Sequence, residues 1–92
     1  MKMKIICIVS GRVQMVMYRD FTRRHAQRLG IVGTVQNMSD GSVRVEAEGS
    51  DAELKKLIKI LHKGSLFSHV ENITVARKEL ASGNYSNFRI VY

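Results

Sequence analysis

Apolar residues run unbroken from Ile5 to Val9, with Lys4 before them and Ser10-Gly11 behind. A short β-branched run closed by turn residues reads as a central strand covered on both faces. Tyr18, Phe21, Thr22, His25, Ala26 and Leu29 then recur at helical spacing, with Arg23, Arg24, Gln27 and Arg28 around the rest of the circumference. Gly30 stands where a left-handed C-terminal cap is wanted. Val32 to Asn37 is a second short strand. Asp40-Gly41 between two strand-like runs signals a hairpin. Val43, Val45 and Ala47 alternate with Arg44, Glu46 and Glu48, which predicts one dry face and one wet face.

Ser50-Asp51-Ala52-Glu53 has the form of a capping box. Leu54, Leu57, Ile58 and Leu61 continue it as an amphipathic helix that Gly64 ends. Asn72 to Lys78 and Phe88 to Tyr92 are further strand-like segments. The order is β-α-β-β-α-β with a short extra terminal strand. Two helical crossovers around a central hairpin predict an α+β, ferredoxin-like sandwich: an antiparallel sheet with both helices on one face. That architecture hosts many unrelated functions and decides no chemistry.

Composition narrows the picture. Ninety-two residues with 45% hydrophobic and 25% charged positions predict a single domain spanning residues 1–92. Any active site on it is expected to be shallow and built from loops. A formal charge of +7 favours anionic partners. The single cysteine, Cys7, forms no internal disulfide. The apolar run after Lys4 is shorter than the roughly 7–15 residues of a signal-peptide core. No stretch reaches the ~20 residues of a membrane span. The expectation is a soluble, cytoplasmic monomer with no membrane partner.

The segment without a period carries the chemistry. Gly11 to Arg19 joins a central strand to a helix start. A turn there points successive N–H groups outward, and the helix N-terminus adds partial positive charge, so an anion can be cradled. Arg19 at the helix entrance can grip a phosphoryl group bidentately. An ordinary strand–helix loop with a surface arginine satisfies the same pattern. Arg19 could instead pair with Asp20 or Glu46, and Asn37 could simply form a turn. The residues alone leave these readings open.

Gly11-Arg12-Val13-Gln14-x-Val16-x-Tyr18-Arg19 resembles the signature of the acylphosphatase family, GRVQGV followed by any residue, an aromatic and Arg. Ala26-x-x-Leu29-Gly30-Ile31-x-Gly33-x-Val35-x-Asn37-x-x-Asp40-Gly41-x-Val43 resembles its second block. The similarity covers nearly the whole chain and is strongest from Val9 to Gly49. It implies hydrolysis of acyl phosphates to a carboxylate and inorganic phosphate. The family's catalytic Arg and Asn fall on Arg19 and Asn37. Its phosphate-binding loop falls on Gly11, Arg12, Val13, Gln14, Met15, Val16, Met17 and Tyr18. The resemblance implies no cofactor and no metal. The partner it implies is a small acyl phosphate or inorganic phosphate.

The chain departs from the family pattern at four positions. Met15 stands where Gly is usual, and a positive φ there would cost roughly 1–2 kcal/mol. Met17 often has a Gly counterpart but lies at a variable position, and little consequence is expected. Thr34 replaces a common Trp and Ser65 a common Pro.

Other features read as structural. Cys7 and Arg12 are one residue short of the C-x5-R loop of tyrosine phosphatases, so Cys7 is expected to be a buried, inert thiol. His25, His62 and His69 are scattered. The lysines of the second helix form a solvated face. A nucleic-acid-binding module is the alternative from another class, or a catalytically weak acylphosphatase-like binding domain. Ser42 to Glu48 has no aromatic to stack on bases and carries two glutamates, which argues against RNA.

Overall fold

The computed structural model describes residues 2–92. It contains strands β1 (Lys2–Arg12), β2 (Val32–Asn37), β3 (Val43–Gly49), β4 (His69–Leu80) and β5 (Phe88–Val91), with helices α1 (Tyr18–Arg28) and α2 (Asp51–Lys63). They form one sheet in the order β4-β1-β3-β2-β5. The β-α-β-β-α-β order of the sequence reading is observed, with one difference in the sheet. The added terminal strand β5 runs parallel to β2, while the other neighbouring pairs are antiparallel.

Ile5, Cys7 and Val9 of β1 meet Val35, Val43, Val45 and Ala47 on the buried face. Ala26 of α1 and Leu54, Leu57 and Leu61 of α2 complete that core. The first strand is dry on one face only, because Lys4, Ile6 and Ile8 alternate with the buried residues and are partly exposed. Both helices therefore lie over the Ile5-Cys7-Val9 side. β3 departs from its pattern in the opposite sense: Glu46 and Glu48 are buried. Their cover is non-local. Asn84 donates to both Glu48 oxygens through its backbone N and Nδ2, each at 2.8 Å, and the Tyr85 hydroxyl donates to Glu46.

The local signals hold. The Ser50 side chain accepts from Glu53 N, and the Glu53 carboxylate accepts in return from Ser50 N, which caps α2. Gly30, at φ 72, follows the last turn of α1 and lets the chain reverse into β2. β1, however, does not stop at Ser10-Gly11. A bulge falls there, and Gly11 and Arg12 pair onward with Val70 and His69. Gly11 has φ 122, and a Cβ on it would lie 2.1 Å from the His69 carbonyl oxygen. Only glycine lets β1 bend and still run on beside β4. This bend delivers the chain to the loop over 13–17.

Candidate active site

Three contacts from different parts of the chain pin the loop that follows β1. Gln14 turns inward, and its Nε2 donates to the carbonyls of Met38 (2.8 Å) and Ser42 (2.9 Å), at the β2–β3 turn. Ser65 Oγ donates to the Val16 carbonyl at 3.1 Å. The buried Tyr18 hydroxyl donates to the Leu61 carbonyl at 2.8 Å, fixing the first residue of α1 against the end of α2. Burial pushes that phenol well above the usual tyrosine range. Within this frame Met15 and Met17 both have φ 61, the left-handed region that L side chains avoid.

The N–H groups of this loop have no backbone acceptor among the described residues between Gln14 and Met17. α1 continues the same pattern: its N-cap, Met17, supplies no side-chain acceptor. The first-turn donors of α1 are thus open, whereas α2 closes its own with a full capping box. Loop donors and helix-end donors without protein acceptors thus adjoin along the chain, an arrangement suited to an anion.

Arg19 opens into a shallow hollow of about 420 Å³, shared with Val13, Met15, Met17, Tyr18, Asp20, Ile90 and Tyr92. Its guanidinium carbon lies 4.9 Å from the centre of the Tyr92 ring. Neither carboxylate that could neutralise it does so. Asp20 is taken by Arg23 Nη2 at 2.5 Å and Arg24 Nε at 2.9 Å. The hydrogen bond from Arg23, with the two arginine charges behind it, holds the Asp20 carboxyl below its usual range. Glu46 is taken by Arg44 (2.9 Å) and Lys4 (3.4 Å) as well as by Tyr85. Arg19 has no ion pair among the described residues.

Asn37 ends β2 opposite Val43, which in turn pairs with Val9. Two strand spacings, about 10 Å, therefore separate the Asn37 and Val9 backbones at this end of the three interior strands. The turn beyond is made by other groups: Met38 N donates to the Ser42 carbonyl, and Asp40 accepts from Ser42 N and Oγ. Asn37 Oδ1 is buried with no hydrogen-bond donor among the described residues. A buried amide oxygen without a donor is costly to keep and marks a place for one from outside the chain.

A family profile for acylphosphatase matches residues 5–90. The chain belongs to the acylphosphatase family. An acylphosphatase of Salinibacter ruber is 45% identical over 82 residues, covering 89% of this chain and 85% of that protein. One of Methanocella arvoryzae is 47% identical over 74 residues, covering 80% and 84%. The crystal structure of the Bacillus subtilis acylphosphatase superposes with a TM-score of 0.94 at 36% identity, covering 98% of this chain and 99% of that one.

The positions matching the acylphosphatase signature do not all fall in one hollow. Val13, Met15, Met17 and Tyr18 surround Arg19. Gly11 and Arg12 belong to β1 and line a separate hollow with His69 and Glu71. Gln14 holds the hairpin, Val16 receives Ser65, and Asn37 stands at the end of the interior strand β2, outside the lining of the Arg19 hollow. Met17 shares the left-handed backbone of Met15, which the variability of its position does not suggest.

Tyr92 escapes the sequence reading, which treats it only as the end of a strand. The register supplies the signal: β5 lies parallel to β2 with Val91 opposite Gln36, so Tyr92 emerges level with Asn37. Cys7 is fully buried, and burial pushes its thiol up to about 11 against the opposing charge of Arg77. It stays a neutral thiol at physiological pH. No helix among the described residues is long and apolar enough to cross a membrane.

Proposed function

We propose that this acylphosphatase hydrolyses acyl phosphates through two side chains and a cradle of amides. Arg19 and the N–H groups of the 14–17 loop and the α1 entrance hold the phosphoryl oxygens. Asn37 Oδ1 accepts a hydrogen bond from the attacking water and sets it in line with the bond to be broken. The observation that carries the reading is the buried Asn37 oxygen without a donor among the described residues, next in sequence to the Met38 carbonyl through which Gln14 ties down a loop whose N–H groups have no backbone acceptor.

The step balances without a further reactant. The water oxygen bonds to phosphorus as the bond from phosphorus to the acyl oxygen breaks. The electron pair leaves on the carboxylate, a weak base that needs little protonation. The water's proton passes to a phosphoryl oxygen, because an amide oxygen is too weak a base to keep it. An acyl phosphate dianion and water thus become a carboxylate and dihydrogen phosphate. A loose phosphoryl-transfer transition state asks the protein chiefly for position and charge, which an arginine fork and oriented amides supply. The excess of basic residues steers the dianion, an effect that added salt weakens.

The same reading takes the chain as a cytoplasmic protein, and as a monomer acting on a free small molecule, since every group that it uses comes from one chain. Hydrolysis of benzoyl phosphate in ¹⁸O-labelled water tests it. The label is expected in inorganic phosphate, with unlabelled benzoate. Label in benzoate, or no turnover by folded protein, would overturn it.

A further inference from the structure

Met15 and Met17 stand between two hollows. On one side is the hollow of Arg19. On the other is an apolar groove of about 620 Å³, lined also by Val16, Phe21, Leu66 and Phe67. Met15, Met17, Leu66 and Phe67 are all exposed, and Met15 is 99% so. Large apolar side chains gathered in this way mark a binding surface more often than isolated ones do. The one charged residue of the groove, Arg24, is already paired with Asp20 at 2.9 Å. The groove is also built on fixed backbone. Ser65 Oγ ties to the Val16 carbonyl, and Ser68 donates to the Ser65 carbonyl through both N (3.1 Å) and Oγ (2.8 Å), so Leu66 and Phe67 sit on a closed turn against the loop. Its volume suits a small organic group.

We propose that this groove receives the acyl part of the substrate, so that the enzyme favours acyl phosphates bearing a hydrocarbon chain or ring over acetyl phosphate. The proposal rests on the hydrolysis reading above. A phosphoryl group beside Arg19 directs the acyl substituent outward, past the shared wall of Met15 and Met17 and onto Leu66 and Phe67. Methionine side chains adapt to different hydrocarbon shapes, so the preference follows apolar length rather than one acid.

The test compares kcat/KM of the full chain for acetyl, butanoyl and hexanoyl phosphate, in the wild type and in Leu66→Ser/Phe67→Ser. A fully buried methylene is worth roughly fourfold, so an open groove gives about twofold per methylene, or about fifteenfold across the series. The double variant changes exposed positions, and circular dichroism checks its fold. It is expected to keep the acetyl phosphate rate within about twofold and to flatten the series. A flat wild-type series, or a slope that survives in the variant, overturns the proposal. Sedimentation showing a dimer that the variant abolishes would give the groove to a second copy and overturn it too. Absence of all hydrolysis would fail the underlying reading instead. Calorimetry with hexylphosphonate and methylphosphonate then decides the groove by itself. About thirtyfold tighter binding of the hexyl compound, at the same twofold for each of five methylenes and lost in the variant, supports the proposal, and equal binding overturns it.

Discussion

The Arg19 guanidinium rests over the ring of Tyr92, its carbon 4.9 Å from the ring centre, so the end of β5 steadies the one arginine in the loop hollow. Tyr92 is itself 91% exposed, which sets the scale of the effect. A cation on an exposed aromatic face gains about 0.5–1 kcal/mol. Tyr92→Ala is expected to lower kcat/KM about two- to fivefold, and Tyr92→Phe to keep it. Steady-state kinetics on the two variants check this, and equal losses would show that the ring plays no such part.

Gln14 couples the loop to the hairpin beside Asn37 by two hydrogen bonds from one amide. At about 0.5–1.5 kcal/mol each, Gln14→Ala should cost about 1–3 kcal/mol of stability. It should also lower kcat/KM about tenfold on the proposed mechanism, because the loop and Asn37 lose their common reference. Urea titration and kinetics read the two effects. Full activity in a destabilised variant would separate the loop from the hairpin.

Met15 and Met17 hold left-handed backbone that glycine adopts without strain. Met15→Gly should stabilise the protein by about 1 kcal/mol, the relieved strain being partly offset by the larger freedom of glycine in the unfolded chain. A raised urea midpoint is the expected result, and a lowered one would mean that the Met15 side chain packs more than it strains.

Glu46 gives the fold an acid limit. Burial alone would raise its carboxyl, but hydrogen bonds from Tyr85 and Arg44 and the charge of Lys4 outweigh burial and hold it below its ordinary value near 4.5. A carboxyl lowered in the folded state stabilises above that ordinary value, and the contribution is lost as pH falls through the folded value. Glu46→Gln should therefore cost about 1–3 kcal/mol at pH 7 and much less at pH 3. Urea midpoints at both values measure the gap. A gap independent of pH would contradict this account of the Tyr85–Glu46–Arg44 group.

What was legible in the chain was local. The Ser50–Glu53 capping box, Gly30 and the Asp40-Gly41 turn act within a few residues, and their sequence patterns suffice to find them. The alternation of β3 misleads at Glu46 and Glu48, because the residues that cover them lie about 36 to 39 positions away. The strand covered on both faces proves half covered, since a continuous apolar run does not reveal on which side the helices pack. Arg19 and Asn37 were picked out by the family blocks. The motif does not say that Gly11 and Arg12 stay in the strand, nor that a terminal tyrosine meets Arg19. Those facts depend on the bulge at Ser10/Gly11 and on the parallel register of β5.

In the proposed mechanism Arg19 and the loop hold phosphate, and Asn37 places water. Turnover of benzoyl phosphate and calorimetric affinity for inorganic phosphate, measured on one preparation of Asn37→Ala, test it most directly. The expected result is a kcat lowered by about 10²–10³ with phosphate affinity unchanged within about twofold. Phosphate affinity falling in step with turnover would place Asn37 in phosphate binding, and an unchanged kcat would remove it from the reaction.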